Sequence, residues 1–321
     1  MTVSKRIERI DAGIATLIRD NDDVKALVSI GSYSQGTMDK FSDIDLYLFT
    51  TNPSKYQHSL NYDWLNPLGK VLSRIAFIDG NAGVGKNKVV FSDGLMYDIT
   101  IIRVSRLRIF RTYFFLTKSK VIRLLPAFLR NGLEVNMLHF YNTIKRGYRI
   151  HKDEIGLESV LTNIISAFSK VKQDQITEAK FVQTNQAFWQ CCYDASVKLI
   201  RKDFYYKFLV FDKAIRKNLI TLLEWRAKSE GNEEVYYEGR KVEQWAGKEI
   251  ADELYQTLKY ENEVEMLDSL LITIRLFVKE SHYLSSRYGY PLNTDFEEFV
   301  IEFIENVAIP QCERHQQELT T

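Results

Sequence analysis

Two short apolar runs held apart by polar residues constrain the fold of this chain more than any other feature. The first is Val24 with residues 26–30, and the second is residues 46–49. Between them lies G-S-Y-S-Q-G-T-M-D-K-F-S-D-I-D, which opens on Gly31-Ser32 and closes on Asp43 and Asp45. Apolar runs of this length bounded by turn residues read as β-strands. Side chains two apart on a strand share a face, so Asp43 and Asp45 converge at one strand end. Such a pair can hold Mg²⁺ against phosphate oxygens. The Gly-Ser turn offers backbone N–H groups and a hydroxyl to a triphosphate, and Ser42 adds a second hydroxyl. The plainer alternative, a solvated strand end, leaves two acids repelling each other. The order strand, Gly-Ser, Gly36, Ser42, Asp43, Asp45, strand reads as a nucleotidyl-transfer site.

A third acid belongs with them. Lys88 to Phe91 and Leu95 to Ile102 are β-rich runs around Ser92-Asp93-Gly94, which is a hairpin signal. Asp98 sits in the second, otherwise apolar run, where a lone carboxylate is costly unless paired or metal-bound. Asp98 therefore reads as the third member of the acidic cluster, a solvated edge residue being the alternative. Asp93 is a turn residue.

The 321 residues suggest about two domains with ample core. With 43 basic and 42 acidic residues the charge is balanced, which argues against a general nucleic-acid binder. Three cysteines, two of them adjacent at Cys191 and Cys192, form neither a disulfide framework nor a zinc pattern, and the five histidines are scattered. No apolar stretch approaches ~20 residues and the N-terminus is charged from the start. The expectation is a soluble, cytoplasmic protein with no membrane partner.

Helical spacing of Ile7, Ile10, Ile14, Leu17 and Ile18 predicts a helix over residues 4–20. Strands follow near 25–30, 43–50, 71–78, 87–92 and 95–103, with a short helix near 64–72. The loop at 79–86 (D-G-N-A-G-V-G-K) lacks the Lys-Ser/Thr ending of a P-loop and reads as linker. Helices over 106–118 and 121–132 and a last strand at 148–152 complete the first part. Beyond residue ~156 helices are predicted over 157–170, 177–202, 204–229, 248–259, 263–287 and 294–308. The fold class is α+β: a nucleotidyltransferase domain with a small mixed sheet and flanking helices at 1–155, then a helical substrate-binding bundle at 156–321.

Gly31-Ser32, Ser42-Asp43-Ile44-Asp45 and Tyr97-Asp98-Ile99 resemble the polymerase-β-like nucleotidyltransferase superfamily, and the first motif resembles two-domain lincosamide nucleotidyltransferases. Phe188-Trp189, Arg201-Lys202-Asp203, Leu222-Leu223-Glu224-Trp225 and Arg287-Tyr-Gly-Tyr-Pro291 are similar to those enzymes and to the aminoglycoside 6-adenylyltransferases that modify streptomycin. The resemblance covers most of the chain and is poor between about 104 and 175. It implies that Asp43 and Asp45 hold one or two Mg²⁺ ions and that Gly31 and Ser32 bind the β- and γ-phosphates. Asp98 completes the metal site or accepts the proton of the attacking hydroxyl.

Pairing through Phe188 and Arg201-Lys202 puts Leu209 where the streptomycin enzymes carry a helical aspartate. Asp212 lies one turn further on, as a base or a solvated helix acid. Lys198, Arg201 and Lys202 are candidates for the phosphates, a solvated helix face being the alternative. Tyr193 is a candidate pocket wall, whereas Phe188 and Trp189 read as core. Asp194, Glu224, Glu263 and Glu265 could attract a cationic acceptor. The leading reading is transfer of AMP from ATP to a hydroxyl of a lincosamide or aminoglycoside. A second keeps the chemistry with a protein or tRNA acceptor, which a basic groove over Lys118, Lys120, Arg123, Arg130, Lys145 and Arg146 would favour. A third is a catalytically silent nucleotide-binding relative. A second copy of the chain is a candidate partner.

Overall fold

The computed structural model describes residues 2–57, 62–79, 84–119, 122, 126–169, 176–232 and 234–320. The side chains of residues 79, 127–131, 133, 135, 136, 139, 204, 207, 212, 237, 316, 319 and 320 lie outside the description. The chain divides into two compact units, Met1–Val171 and Lys172–Thr321. The architecture is α+β. No described helix is long and apolar enough to cross a membrane.

In chain order the first unit has α1 (Val3–Arg19), β1 (Val24–Ile30), α2 (Gly31–Gln35), β2 (Ile44–Thr50), α3 (Pro53–Gln57), a 3₁₀ turn (Asp63–Leu68), β3 (Val71–Asp79), β4 (Val84–Phe91) and β5 (Met96–Arg103). It continues with α4 (Ser105–Lys118), α5 (Ala127–Ile144), β6 (Tyr148–Asp153) and α6 (Leu157–Phe168). The strands form one mixed sheet in the order β3-β4-β5-β2-β1-β6, with β2 and β5 parallel and the other neighbours antiparallel. Strand alternation gives the sheet two differently used faces. Ile44, Leu46, Leu48, Val89, Tyr97, Ile99 and Ile101 bury against α1 and the 3₁₀ turn through Ile10, Ile14, Leu17, Trp64, Leu65 and Leu68. On the opposite face Ala26, Val28, Phe49 and Ile102 bury with Leu107, Tyr113, Met137, Ile144, Leu161 and Ile164 of α4, α5 and α6. Asp45, Lys86, Lys88 and Asp98 share that second face by the same alternation.

Several elements of the first unit depart from expectation; residues 84–86 of the expected linker, for one, already belong to β4. The helix expected to stop at Gly132 runs through it to Ile144, because one glycine costs a helix only about 1 kcal/mol relative to alanine. Residues 121 and 123–125 of that expected helix lie outside the description, as do 80–83 of the expected linker. The helix expected at 157–170 packs in the first unit, whose limit is Val171. Gly31-Ser32, expected as a turn, opens the short helix α2.

The second unit is helical, with α7 (Glu178–Ile200), α8 (Phe204–Val210), a π-turn (Phe211–Ile215), α9 (Arg216–Ser229), α10 (Val242–Trp245), α11 (Lys248–Gln256), α12 (Glu263–Tyr288), α13 (Thr294–Phe303), a second π-turn (Ile304–Ala308) and α14 (Ile309–Thr320). Its core gathers Phe181, Phe188, Trp189, Leu219, Leu222, Leu223, Leu270, Ile274 and Phe277, with Phe188 and Phe277 stacked at 3.5 Å between centroids. The expected helix over 204–229 is broken by the first π-turn, whose Phe211 and Ile215 are both fully buried. The expected end at residue 308 is passed as well. The second π-turn leads into α14, whose second residue, Pro310, has no N–H to contribute to a helical bond.

Candidate active site

A single row of residues crosses four adjacent strands. Lys88 on β4 stands opposite Asp98 on β5, Asp98 opposite Asp45 on β2, and Asp45 opposite Ile30 at the end of β1, directly before Gly31. The row thus reads cation, acid, acid, glycine turn. Parallel pairing of β2 with β5 puts the two acids side by side, and the long connection through β3 and β4 is what parallel pairing requires.

Gly31 belongs to this row for a steric reason. Its φ is +71° and a Cβ built on it would stand 2.8 Å from Asp45 Oδ2. Only glycine takes this backbone conformation readily while letting the chain pass so close to a carboxylate. The helix it opens is anchored from behind. Tyr33 is buried and donates to Asp11 Oδ1 at 2.6 Å, Asp11 pairs with Arg149 at 3.1 Å, and the His151 ring stacks on Tyr33. His151 Nε2 lies 2.9 Å from Ser29 Oγ on β1. Burial first, and then the Arg149 charge, push His151 down to about 4, against the opposing pull of Asp11.

Asp98 stands in a strained electrostatic setting. Burial raises its pKa, Asp43 raises it further, and Lys86 and Lys88 oppose them. Lys88 Nζ stands 3.9 Å from Asp98 Oδ2, with the lysine side chain 62% exposed and the aspartate 26%. Asp98 Oδ1 is buried and accepts no hydrogen bond from the described residues. Asp43 precedes β2 and is exposed, near enough to act on Asp98 through its charge. A buried carboxylate oxygen without a donor, next to a second carboxylate in register, suits a hard divalent cation. Among the described residues no three His, Cys, Asp or Glu side chains are grouped as a ready ligand set.

The loop before β2 is built largely by itself. Asp39 accepts from Phe41 N at 2.8 Å and from Ser42 Oγ at 2.9 Å, and Asp39 N donates to Ser42 Oγ at 3.0 Å. The Ser42 hydroxyl, a candidate phosphate ligand by sequence, is thus engaged in shaping this loop. Arg6 on α1 donates to the carbonyls of Lys40 and Gly94, tying the loop to the β4–β5 turn. Asp93 in that turn pairs with Arg9 and accepts from Leu95 N. Ser32 is half-buried at the start of α2.

The other candidates belong to the second unit. Lys198 lies in the last turn of α7 and Arg201 is its C-cap. Lys202 has φ +60° and its N–H bonds Leu199 O, while Asp203 N bonds Lys198 O. This is the Schellman pattern, so Arg201-Lys202-Asp203 ends a helix, with a lysine where glycine is usual. Phe188 and Trp189 are core, as expected. Tyr193 is half-buried and packs on Phe299 and Phe303. Glu224 accepts from Glu238 N, Glu265 from Glu261 N, Glu263 lies in the first turn of α12, and Asp194 is exposed. Asp212 falls in the first π-turn and its side chain lies outside the description. So do Lys120, Arg123 and the Arg130 side chain of the expected basic groove.

Sequence reasoning passed over Lys86 and Lys88. The signal was K-N-K spaced two apart in a strand, which puts both ammonium groups on the face of Asp98.

Comparison with known proteins finds matches to two stretches of the chain. Residues 13–82, which include Gly31, Asp43 and Asp45, match the family model described as nucleotidyltransferase domain. Residues 160–307 match the model described as streptomycin adenylyltransferase. No curated protein matches the chain. Among solved structures, an aminoglycoside 6-adenyltransferase from Bacillus subtilis is 16% identical, with 94% of this chain and 97% of that one covered and a TM-score of 0.41. A nucleotidyltransferase-like protein from Exiguobacterium sibiricum is 11% identical, with 86% and 78% covered and a TM-score of 0.30. Similarities at that level place no residue. The match over residues 13–82 to a nucleotidyltransferase domain and the match over 160–307 to streptomycin adenylyltransferase together support a nucleotidyltransferase.

Proposed function

We propose that this enzyme transfers AMP from ATP to a hydroxyl of a small antibiotic, an aminoglycoside or a lincosamide. The observation that carries the reading is the in-register pair Asp45–Asp98, with Asp98 Oδ1 unpaired, beside the Gly31 turn. The acceptor oxygen bonds to the α-phosphorus. The bond to the β-phosphate bridging oxygen breaks, and pyrophosphate leaves with the electron pair. Gly31 and Ser32 hold the β- and γ-phosphates through backbone N–H groups and the hydroxyl. Asp43, Asp45 and Asp98 are the carboxylates that would hold Mg²⁺, which when bound neutralises charge on the triphosphate. Asp98, its basicity raised by burial, takes the hydroxyl proton if the metal leaves it free, and Asp212 is the other candidate base.

Lys198 and Arg201 are further candidates for the nucleotide. The first domain carries the transfer chemistry and the helical second domain the acceptor. Three free cysteines fit a reducing cytoplasm.

The test is pyrophosphate release from Mg²⁺ and each of the four NTPs with a panel of aminoglycosides and lincosamides. Release should need both ATP and one acceptor, and Asp45→Asn should lower it at least about a thousandfold with the fold unchanged. Near-normal turnover in Asp45→Asn would sink the reading.

A further inference from the structure

We infer that Lys88 is the residue that grips the α-phosphate, so that the row across the sheet fixes the direction in which the triphosphate lies. The inference rests on the proposed transfer site and adds to it a cation and a polarity.

Neighbouring strands lie about 5 Å apart, so the row orders its members along one line. Gly31 stands at one end, Asp45 and Asp98 follow, and Lys88 closes the other end. A triphosphate with its β- and γ-groups on the Gly31–Ser32 end presents its α-phosphate toward Asp98 and Lys88. The attacking hydroxyl arrives at that same end, where Asp98 stands.

The state of Lys88 fits this task. Its side chain is 62% exposed and its one ion pair among the described residues is to Asp98, at 3.9 Å. An ion pair of that length on an exposed side chain is weak and readily exchanged. Both oxygens of Asp98 thereby come free when the ammonium moves. A non-bridging oxygen of the α-phosphate offers Lys88 a shorter, charge-assisted bond than the carboxylate does here. Lysine serves as a mobile point charge on a flexible stem. Lys86, two residues earlier on the same face, already acts on Asp98 through its charge and is the second cation of this end.

The opposite view, that Lys88 only neutralises the acid pair, makes different predictions. Affinities of adenosine, AMP and ATP are measured by calorimetry for the wild type, Lys88→Gln and Lys88→Arg, with Tm as the fold control. The wild type should prefer AMP to adenosine. Lys88→Gln should reduce that preference roughly tenfold or more, the scale of a lost charge-assisted bond, and leave the ATP-to-AMP ratio unchanged. Lys88→Arg should restore most of it. An unchanged AMP-to-adenosine ratio, or a loss confined to the ATP-to-AMP ratio, overturns the inference. So does a Lys88→Gln protein whose one change is tighter Mg²⁺ binding. If Lys88→Gln does not fold, Lys88→Arg and Lys88→Met are compared on the same ratios. Asp45→Asn separates the two levels: its retained turnover would sink the site itself, whereas its inactivity with unchanged Lys88→Gln ratios sinks the role of Lys88 alone.

Discussion

The two units spend their recognisable motifs in different ways. In the first, Gly31, Asp45 and Asp98 line one row of a sheet and leave a buried carboxylate oxygen without a donor. In the second, the motifs go into architecture. Phe188 and Trp189 fill the core, Arg201-Lys202-Asp203 ends α7, and Arg287 donates to Ser229 O while Tyr290 donates to Ile176 O. The motif residues of the first unit gather at one row of side chains, whereas those of the second are built into the packing and helix ends of a bundle.

The contrast can be broken by substitution. Phe188→Ala should cost the second unit about 3–5 kcal/mol, since a fully buried ring stacked on Phe277 is removed. Calorimetry should show one unfolding transition shifted down and nucleotide affinity of the folded protein retained. Gly31→Ala should do the reverse. Its Cβ would press on Asp45 and its φ disfavours alanine, so turnover should fall about 10- to 100-fold for a stability loss of only about 1–2 kcal/mol. Equal turnover in Gly31→Ala and the wild type would show that the close approach of the turn to Asp45 is incidental.

Two smaller effects sharpen the comparison. His151 behind the glycine turn is held neutral, with its folded pKa near 4 against about 6.5 unfolded. The unfolded chain binds the extra proton first, so stability is fully present above about pH 6.5 and declines as pH falls toward about 4. His151→Gln should remove that segment of the Tm-against-pH curve. An unchanged slope would mean that the imidazole takes up its proton as readily in the fold as in the unfolded chain. Lys202→Gly should stabilise α7 by a few tenths to about 1 kcal/mol, because glycine takes positive φ without strain. If turnover falls instead, the helix end serves catalysis as well.

What was legible in the sequence follows the same division. Short apolar and β-rich runs bounded by turn residues announced β2, the β4–β5 hairpin and its Asp-Gly turn, and hence the three acids. Which acid faces which partner was not legible, because register across a parallel pair depends on residues far apart in the chain. Lys88 was hidden for that reason: it becomes a neighbour of Asp98 only once β4 and β5 are aligned. Helix boundaries failed where local signals were outvoted. Gly132 was too weak a breaker to stop α5, and neither π-turn has a composition of its own. Ser42 read as a ligand because a hydroxyl beside two acids looks available, while in the fold Asp39 uses it to close the loop.

The parallel pairing of β2 with β5 has a consequence for how the protein comes into being. Asp45 and Asp98 are separated by on the order of fifty residues, so their meeting closes a long loop whose entropy must be overcome before any contact rewards it. The β3–β4 and β4–β5 pairs are local in the chain, whereas β5 meets β2 only across that long loop. A chain emerging from the ribosome carries Asp45 long before it carries the partner of Asp45. Until β5 lies beside β2 the row does not exist, and nucleotide binding would then report that these two strands have met.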